Sequence, residues 1–285
     1  MDYLHADETT VQVLEEPGRY PWQKSYFWVR VSGAGPPIIL LNYDPSRAGA
    51  VANSLFPGFK GFLQTDAYSG YNAVSARIEV TSVGCWAHAR RKYDAVLKSV
   101  GRTSQRTEAV LAREALGFIR RLYQIEREIK DQTPRERLRR RQTDSQAVLD
   151  ELAAWRDQHL TYAAARGGSL AKAFTYLTNQ WDHLVCFVQD ERLRLDNNRA
   201  EQHIRPIAQG RRAWLFAKSE EGAHASAAWY SIVETAKANG LEPYHYLRWL
   251  FTELPRYLQQ GWPLDPLLPW NVTSDQINAP TSGRG

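Results

Sequence analysis

Three carboxylates that are widely separated in this 285-residue chain are the best candidates for catalytic side chains: Asp7, Asp66 and Glu201. Asp7 lies in a segment with the composition of a first β-strand. Asp66 follows the apolar run 61–65, and Glu201 falls in the opening turns of a helix after a long intervening segment. Carboxylate oxygens are the hard ligands that Mg²⁺ prefers. Two such ions roughly 3.5 to 4 Å apart serve phosphodiester cleavage and strand transfer.

Spacing alone does not single out these three side chains, because the chain has 31 acidic residues. Asp7 could be a solvated strand-end acid, and Asp66 could form only an Asx turn. Glu201 could be an acid that the helix macrodipole favours. Asp196 competes with Glu201 as a ligand, although a helix cap suits it better. Glu8 points to the opposite strand face from Asp7 and is the natural negative control.

Strands dominate the elements that must position the first two carboxylates. The runs 3–14, 26–31 and 38–41 predict three neighbouring strands in an antiparallel meander. A short helical stretch follows the Pro-Ser-Arg sequence at 45–47. Strands are then predicted at 61–65 and 77–83, the first of which delivers Asp66 at its carboxyl end.

Helices dominate the rest of the chain. From about residue 86 to 165 the apolar spacing of three and four predicts long amphipathic helices, one of them starting at Pro134. The later expectations are a hinge at 167–169, helices at 170–177 and 181–188, a helix opening at 196–201, a short strand at 211–217, a helix at 220–238 that ends at Asn239-Gly240, a helix pair at 243–260, and a disordered tail from about 272.

Composition and charge restrict the classes of protein to which this chain can belong. A hydrophobic fraction of 43% supports a globular core, and a net charge of +5 mildly favours a polyanionic partner. The two cysteines, Cys85 and Cys186, form no C-x-x-C pair, which argues against a disulfide framework or a four-cysteine zinc site. This use of cysteine fits a protein of the reducing cytoplasm. The N-terminus lacks the pattern of a signal peptide, and no run of 18 apolar residues occurs, so neither secretion nor membrane insertion is predicted.

Sequence around these carboxylates carries a family resemblance. The matching stretches are HADET around Asp7, PSR at 45–47, QTDAYSGYN around Asp66, GCWAHARRKY at 84–93, DNNRAEQHIRPIAQGRR at 196–212 and LEPYHYLRWLFTELP at 241–255. In this order they closely resemble the insertion sequence 66 family of bacterial DDE transposases. The resemblance implies that Asp7, Asp66 and Glu201 are the catalytic triad and hold two Mg²⁺ or Mn²⁺ ions.

The resemblance also implies an α/β fold, a ribonuclease H-like mixed sheet flanked by helices, with an all-helical insertion between the second Asp and the Glu. The expected division is a first core part at 1–94, the insertion at 95–190, a second core part at 191–240, a C-terminal helical segment at 241–271 and a tail at 272–285.

The implied activity is metal-dependent cleavage of double-stranded DNA at transposon ends, followed by strand transfer to target DNA. A homo-oligomer on DNA, no membrane partner and a nucleoid-associated location in the bacterial cytoplasm go with it. Two alternatives stay open. One is a truncated DNA-binding remnant that is inactive alone or modulates an intact transposase, and the other is a ribonuclease H-like nuclease or resolvase.

Two departures from the family pattern stand out. Ala67 follows Asp66 where glycine is expected, a change that should leave metal binding intact. The chain also starts six residues before Asp7, whereas the resemblance implies a long preceding region that binds the element's ends. We therefore expect a truncated reading frame or an excised catalytic domain.

Basic side chains near these motifs are candidates for contact with DNA: His88, Arg90, Arg91, Arg205, Arg211 and Arg212. Guanidinium planes suit bidentate contact with phosphate. Arg205 lies one helical turn after Glu201 and could instead pair with it. The arginines in 135–141 are a solvated face or a DNA contact. Cys85 and His88 have zinc-like C-x-x-H spacing without a second pair, so packing is the preferred reading for Cys85.

Overall fold

The computed structural model describes residues 1–278 and separates into two compact units. The first unit combines Met1, residues 3–51 and the chain from Arg199 onward, and the second combines Asp2 with residues 52–198. The strands are β1 (Tyr3–Glu15), β2 (Lys24–Ser32), β3 (Ile39–Asp44), β4 (Gly61–Gln64), β5 (Val80–Val83) and β6 (Ala217–Ser219).

The helices are α1 (Gly49–Leu55), α2 (Asn72–Ser75), α3 (Trp86–Val100), α4 (Thr107–Glu128), α5 (Pro134–Arg140), α6 (Gln146–Arg166), α7 (Gly168–Asn179), α8 (Trp181–Val185), α9 (Asn198–Trp214), α10 (Glu220–Ala238), α11 (Pro243–Gln260) and α12 (Ser274–Asn278). Shorter 3₁₀ turns occupy Ser69–Tyr71, Cys186–Val188 and Asp265–Leu267, and a π-helical segment, Arg141–Ser145, joins α5 to α6. The α/β class predicted from the sequence is confirmed.

A mixed sheet organises the first unit. β3, β2 and β1 lie side by side as antiparallel neighbours, which confirms the predicted meander. β6 pairs with β1 in parallel and makes the sheet mixed. The register of β1 against β2 runs without a bulge from Leu4, opposite Ser32, to Gln12, opposite Lys24. Side chains therefore alternate strictly between the two faces along this stretch.

One face of this sheet carries the core of the first unit. Alternate residues of β1, β2 and β3 are buried there: Val11, Val13, Phe27, Val29, Val31, Ile39, Leu41 and Tyr43. The helices pack mostly small side chains against them: Ala200 and Ile207 from α9, and Ala223 and Ala227 from α10. Alanines on the helices allow close approach to the branched and aromatic side chains of the strands. This packing fixes the start of α9 over the sheet.

The segment after α9 differs from the sequence prediction. Residues 211–214 continue α9 as helix, and the predicted strand appears later as β6. The guanidinium of Arg211 donates to the backbone oxygen and to Oγ1 of Thr10, which ties the last turn of α9 to β1. This tertiary contact outweighs the weak local strand signal.

Helix ends in the C-terminal part are partly as predicted. α10 ends at Asn239-Gly240, where Gly240 has φ 76° and the amide of Leu241 reaches back to the carbonyl of Ala236 over 3.0 Å. The expected helix pair at 243–260 is one helix, α11, with Pro255 inside it.

The predicted disordered tail is partly structured. Residues 274–278 form α12, and Ile277 is buried in a small cluster with Val272 and Tyr246. Burial of these apolar side chains stabilises a segment that looks polar in sequence. The rest of the predicted tail, residues 279–285, lies outside the described residues.

The second unit has a short parallel pair of strands, β4 and β5, and most of the helices. β5 is shorter than predicted and starts at Val80, because residues 77–80 form a turn in which the amide of Val80 donates to the carbonyl of Arg77 over 3.0 Å. The side chain of Arg77 donates to the carbonyls of Asn53 and Phe56. Gln64 is buried at the end of β4, and its amide donates to the carbonyls of Gly84 and Arg194. These bonds fix the strand end that precedes Asp66.

Aromatic side chains form the core of the helical part of this unit. Trp155 lies 5.1 Å from Phe174 and 6.3 Å from Tyr93 between ring centroids, and its Nε1 donates to Glu114 over 2.8 Å. Trp181 is covered by the guanidinium of Arg156 at 4.6 Å. Trp155 is therefore a core residue, and its indole is engaged by the protein itself.

An acidic partner of Arg192 gives the second unit a pH-dependent contribution to stability. Arg192 donates to both oxygens of Asp190 and to Asp2, and this hydrogen bonding holds the pKa of Asp190 below its ordinary value. A depressed folded-state pKa stabilises the fold above the unfolded pKa of about 4, and the contribution is lost as pH falls through the folded value.

We therefore expect Asp190→Asn to lower the urea midpoint at pH 7, with the difference from wild type narrowing below about pH 4. Asp131→Asn is the control, because Asp131 is exposed and has no hydrogen-bond or ion-pair partner within residues 1–278. If the urea midpoints of Asp190→Asn and wild type differed by the same amount down to pH 2, the pH-dependent contribution would not come from the Asp190 carboxylate.

Candidate active site

Asp7 lies in the middle of β1, partly buried, and its Oδ1 accepts a hydrogen bond from the amide of Glu8 over 2.8 Å. It stands opposite Val29 in the β1–β2 register, and Val29 belongs to the core beneath α9 and α10. Val11, four residues on, belongs to the same core. Because the register is unbroken, Asp7 lies on the sheet face that these helices cover.

Glu201 lies in the first turn of α9 and is partly buried. Its neighbour Ala200 is fully buried in the core that includes Val29. The start of α9 is thus held on the same side of the sheet as Asp7. A carboxylate in a first helical turn is also stabilised by the helix dipole. The structure brings these two residues of the first unit to one side of one sheet.

Glu8 lies on the opposite face, as alternation predicts. Both Nε and Nη2 of Arg47 donate to its Oε1, and its side chain is only 2% exposed. Arg47 belongs to the Pro-Ser-Arg motif, whose Ser46 amide donates to Asp44. The motif therefore serves to neutralise Glu8 and secure the loop after β3. Sequence reasoning missed this pair, because no local spacing connects the two residues.

Asp66 belongs to the second unit and directly follows the end of β4. Its Oδ1 accepts a hydrogen bond from the amide of Tyr68 over 2.9 Å, the Asx-turn geometry that was the alternative to metal binding. Its Oδ2 lies 3.9 Å from Nε2 of His88. The carboxylate is about one-fifth exposed, so one oxygen is held by the turn while the side chain stays accessible.

Ala67 has a backbone conformation that suits the glycine expected from the sequence at this position. Its φ is 70°, in the left-handed region that costs a residue with a Cβ about 1–2 kcal/mol. The turn that orients Asp66 requires this backbone conformation, since the Tyr68 amide must return to the carboxylate. The substitution leaves the carboxylate itself in place.

We expect Ala67→Gly to raise the free energy of unfolding by about 0.5–1 kcal/mol, because relief of strain exceeds the added unfolded-state entropy. Ala76→Gly is the matched control. Ala76 is exposed with φ −78°, so glycine there should lower stability by a similar amount. Urea unfolding measures both, and an equal loss in the two variants would refute the strain argument.

His88 and its neighbours on α3 form the basic side of the Asp66 environment. Nη2 of Arg91 contacts the ring nitrogens of His88 at 2.7 and 2.9 Å. Arg90 points elsewhere, since its guanidinium lies 6.0 Å from the ring centre of Tyr123. The structure therefore groups Asp66, His88 and Arg91, and separates Arg90 from them.

Cys85 and Asp196 have structural roles around the start of α3. Cys85 is buried, its Sγ accepts a hydrogen bond from the amide of Asn197 over 3.2 Å, and burial raises its pKa to about 11. A neutral thiol of this kind is a poor zinc ligand. Asp196 accepts from the hydroxyl of Tyr123 over 2.7 Å and from the amide of Asn198 over 3.1 Å. These bonds hold the Asp196 carboxylate in place just before α9, which begins at Asn198.

The remaining basic candidates differ in their surroundings. Arg205 and Arg212 are exposed and have no hydrogen-bond or ion-pair partner within residues 1–278, so the pairing of Arg205 with Glu201 is not observed. Arg211 is engaged with Thr10. In the run 135–141, Arg139 pairs with Glu136 at the surface, whereas Arg141 is 3% exposed and is bound inside the protein.

Divalent cations suit the donor types of the triad, since all three residues offer carboxylate oxygens. Over the described part of the chain, no group of three or more His, Cys, Asp or Glu side chains is arranged as a metal site. The first unit has two carboxylates on one side of its sheet, and the second unit has a third carboxylate held by a turn.

Comparison with known proteins identifies the family. The family model described as "Transposase IS66 family" matches residues 1–225, and the model described as "IS66 C-terminal element" matches residues 231–270. Together they cover nearly all of the described sequence. The chain belongs to the IS66 transposase family, as the resemblance in its motifs predicted.

Three relatives in Sinorhizobium fredii share the sequence over nearly its whole length. The uncharacterized proteins y4qI, y4hP and y4jD are 32%, 29% and 30% identical to it, over 96%, 94% and 96% of this chain and 51%, 50% and 54% of their own. The chain thus spans about half the length of the curated relatives it matches. No solved structure matches it. Among residues 1–278, none of the helices has the length and apolar character needed to cross a lipid bilayer.

Proposed function

We propose that this chain is the catalytic region of a DDE transposase, which cleaves DNA at transposon ends and transfers the strand to target DNA. Asp7, Asp66 and Glu201 are its catalytic carboxylates, on a ribonuclease H-like fold with a helical insertion at about 95–190. The observation that carries the proposal is the placement of Asp7 and Glu201 on one side of a mixed sheet, in a chain of a transposase family.

The three carboxylates would hold two Mg²⁺ or Mn²⁺ ions, and their hard oxygen donors support this choice of metal. When bound, such ions activate the attacking oxygen and stabilise the leaving oxygen of a phosphodiester. Without cations, grouped carboxylates would repel one another and favour protonation.

The chain's own residues orient these ligands. The amide of Glu8 donates to one oxygen of Asp7, and the amide of Tyr68 donates to one oxygen of Asp66. These hydrogen bonds limit rotation of the two carboxylates. His88, 3.9 Å from Asp66, acts as a positioning group and a candidate for phosphate contact, with Arg91 beside it. Preset orientation reduces the entropy lost when substrate binds.

Double-stranded DNA is the proposed partner, in the form of transposon ends and target, and the protein would act on it as a homo-oligomer at the bacterial nucleoid. Exposed Arg90, Arg205 and Arg212 are proposed to contact the phosphate backbone. Arg211 would contribute less, because Thr10 already engages it.

The test is a strand-transfer assay with the full chain, using duplexes that carry the terminal repeats flanking its coding sequence. We expect Mg²⁺- or Mn²⁺-dependent cleavage at the repeat end and joining of pre-cleaved ends to a target plasmid, both abolished by EDTA. Cutting of branched or hybrid duplexes without joining would instead identify a nuclease or resolvase. Salt-dependent DNA binding without either reaction would identify an inactive DNA-binding remnant.

A further inference from the structure

A basic groove runs between α3 and α4 in the second unit, and all its arginines except Arg90 lie outside the motifs that carry the family resemblance. Its volume is about 550 Å³, and its polar lining consists mainly of five arginines, with one acidic residue. Leu97, Leu116 and Ile119 line its apolar part. The arginines are Arg90, Arg102, Arg113, Arg120 and Arg127, the acid is Asp94, and Tyr123 is also in the lining.

Spacing along α4 aligns three of these arginines. Arg113, Arg120 and Arg127 recur every seven residues, which is close to two helical turns, so they form one stripe along the helix. The stripe is about 21 Å long at 1.5 Å per residue. Leu116, Ile119 and Tyr123 lie between them at spacings of three and four. The seven-residue repeat is present in the sequence of α4, but none of the acidic motifs includes it.

The positive charge of the groove is only partly neutralised by the protein. Arg102 lies 3.7 Å from Asp94, and Nη1 of Arg113 donates to the carbonyls of Arg102 and Ser104. By contrast, Arg120 and Arg127 are exposed and have no hydrogen-bond or ion-pair partner within residues 1–278. Exposed arginines elsewhere in this unit do pair, as Arg121 does with Glu151 and Arg139 with Glu136.

We propose that this groove binds the phosphodiester backbone of double-stranded DNA. A stripe of about 21 Å exceeds what a single phosphate group needs, and it equals the rise of about six base pairs along the duplex axis at 3.4 Å each. Guanidinium groups are suited to repeated phosphate contact, and such contacts fix position without reading sequence. The inference deepens the proposed function, on which it rests, by assigning a DNA-holding role to the helical insertion.

The proposal is tested by binding rather than by catalysis. Fluorescence anisotropy with a labelled 30-base-pair duplex of arbitrary sequence, in EDTA, compares wild type with R120Q/R127Q. Two lost phosphate contacts should lower the slope of log affinity against log salt by about 1.8 and weaken binding about ten-fold or more near 0.15 M salt. The substituted side chains are exposed, so thermal unfolding should be unchanged.

The matched control is R121Q/R139Q, which removes two exposed arginines from the same unit and changes net charge equally. We expect its DNA affinity to stay within about three-fold of wild type. Equal weakening in both variants, or none in R120Q/R127Q, would overturn the groove assignment. Calorimetry with inorganic phosphate alone should show no saturable binding. A phosphate signal that R120Q/R127Q loses would identify a small-anion site instead.

Failure here is distinguishable from failure of the proposed function. If DNA binding depends on Arg120 and Arg127 while strand transfer is absent, the groove proposal holds and the transposase proposal fails. If strand transfer occurs but R120Q/R127Q binds DNA like wild type, only the groove proposal fails.

Discussion

Asp66→Asn is expected to reduce DNA cleavage and strand transfer by roughly a thousand-fold or more, because the proposed metal ligand loses its charge where the reaction develops charge. Asparagine keeps an oxygen that can accept the hydrogen bond from the Tyr68 amide, so the turn after β4 should persist. Asp7→Asn and Glu201→Gln should have effects of the same order. The measurement is the cleavage rate of end-labelled duplex at saturating Mn²⁺.

Asp196→Asn is the matched control for these variants. Its carboxylate is also held by a local amide, that of Asn198, and by the hydroxyl of Tyr123. Activity should stay within about three-fold of wild type. If Asp196→Asn abolished cleavage and Glu201→Gln did not, Asp196 would replace Glu201 as the third carboxylate.

Arg141→Met is expected to cost about 3 kcal/mol of stability, the largest effect on folding that we predict. Arg141 donates to both oxygens of Glu126, at 2.6 and 2.7 Å, and to the carbonyls of Phe187 and Asp190. Its side chain is 4% exposed. Removing Arg141 leaves the carboxylate of Glu126, whose side chain is 20% exposed, and the two carbonyls without their donor. Urea unfolding at pH 7 gives the free energy directly.

Two further variants separate this role from general surface charge. Arg139→Met removes an exposed partner of Glu136 in the same arginine run and should cost less than about 1 kcal/mol. Adding Glu126→Gln to Arg141→Met should recover part of the loss, because the uncompensated carboxylate is removed. Similar losses for Arg139→Met and Arg141→Met would contradict a specific role for the buried pair.

Local sequence patterns predict much of the fold because they act over short distances. The closely spaced runs 3–14, 26–31 and 38–41 predicted the antiparallel order of β1, β2 and β3, and Asn239-Gly240 marked the end of α10. Long-range contacts explain the failures. Arg211 binds Thr10 on β1 and keeps 211–214 helical, and Ile277 finds a buried cluster that stabilises α12. Neither contact leaves a signal in the neighbouring residues.

The same distinction between local patterns and long-range contacts applies to the candidate site. Family motifs located Asp7, Asp66 and Glu201, and alternation alone placed Glu8 away from Asp7. The role of Arg47 could not be predicted, since its partner Glu8 is on a distant strand. The positive φ of Ala67 could not be predicted from its residue type either, although the glycine expected at this position is consistent with it.

Binding of Mn²⁺ by the full chain, measured by isothermal titration calorimetry, tests most directly whether the three carboxylates form a metal site. We expect saturable binding by wild type and by Asp196→Asn, and loss of that binding in Asp66→Ala when it is measured below the melting temperature of that variant. Binding that persists at full strength in Asp66→Ala, or no binding by wild type, would contradict the triad assignment.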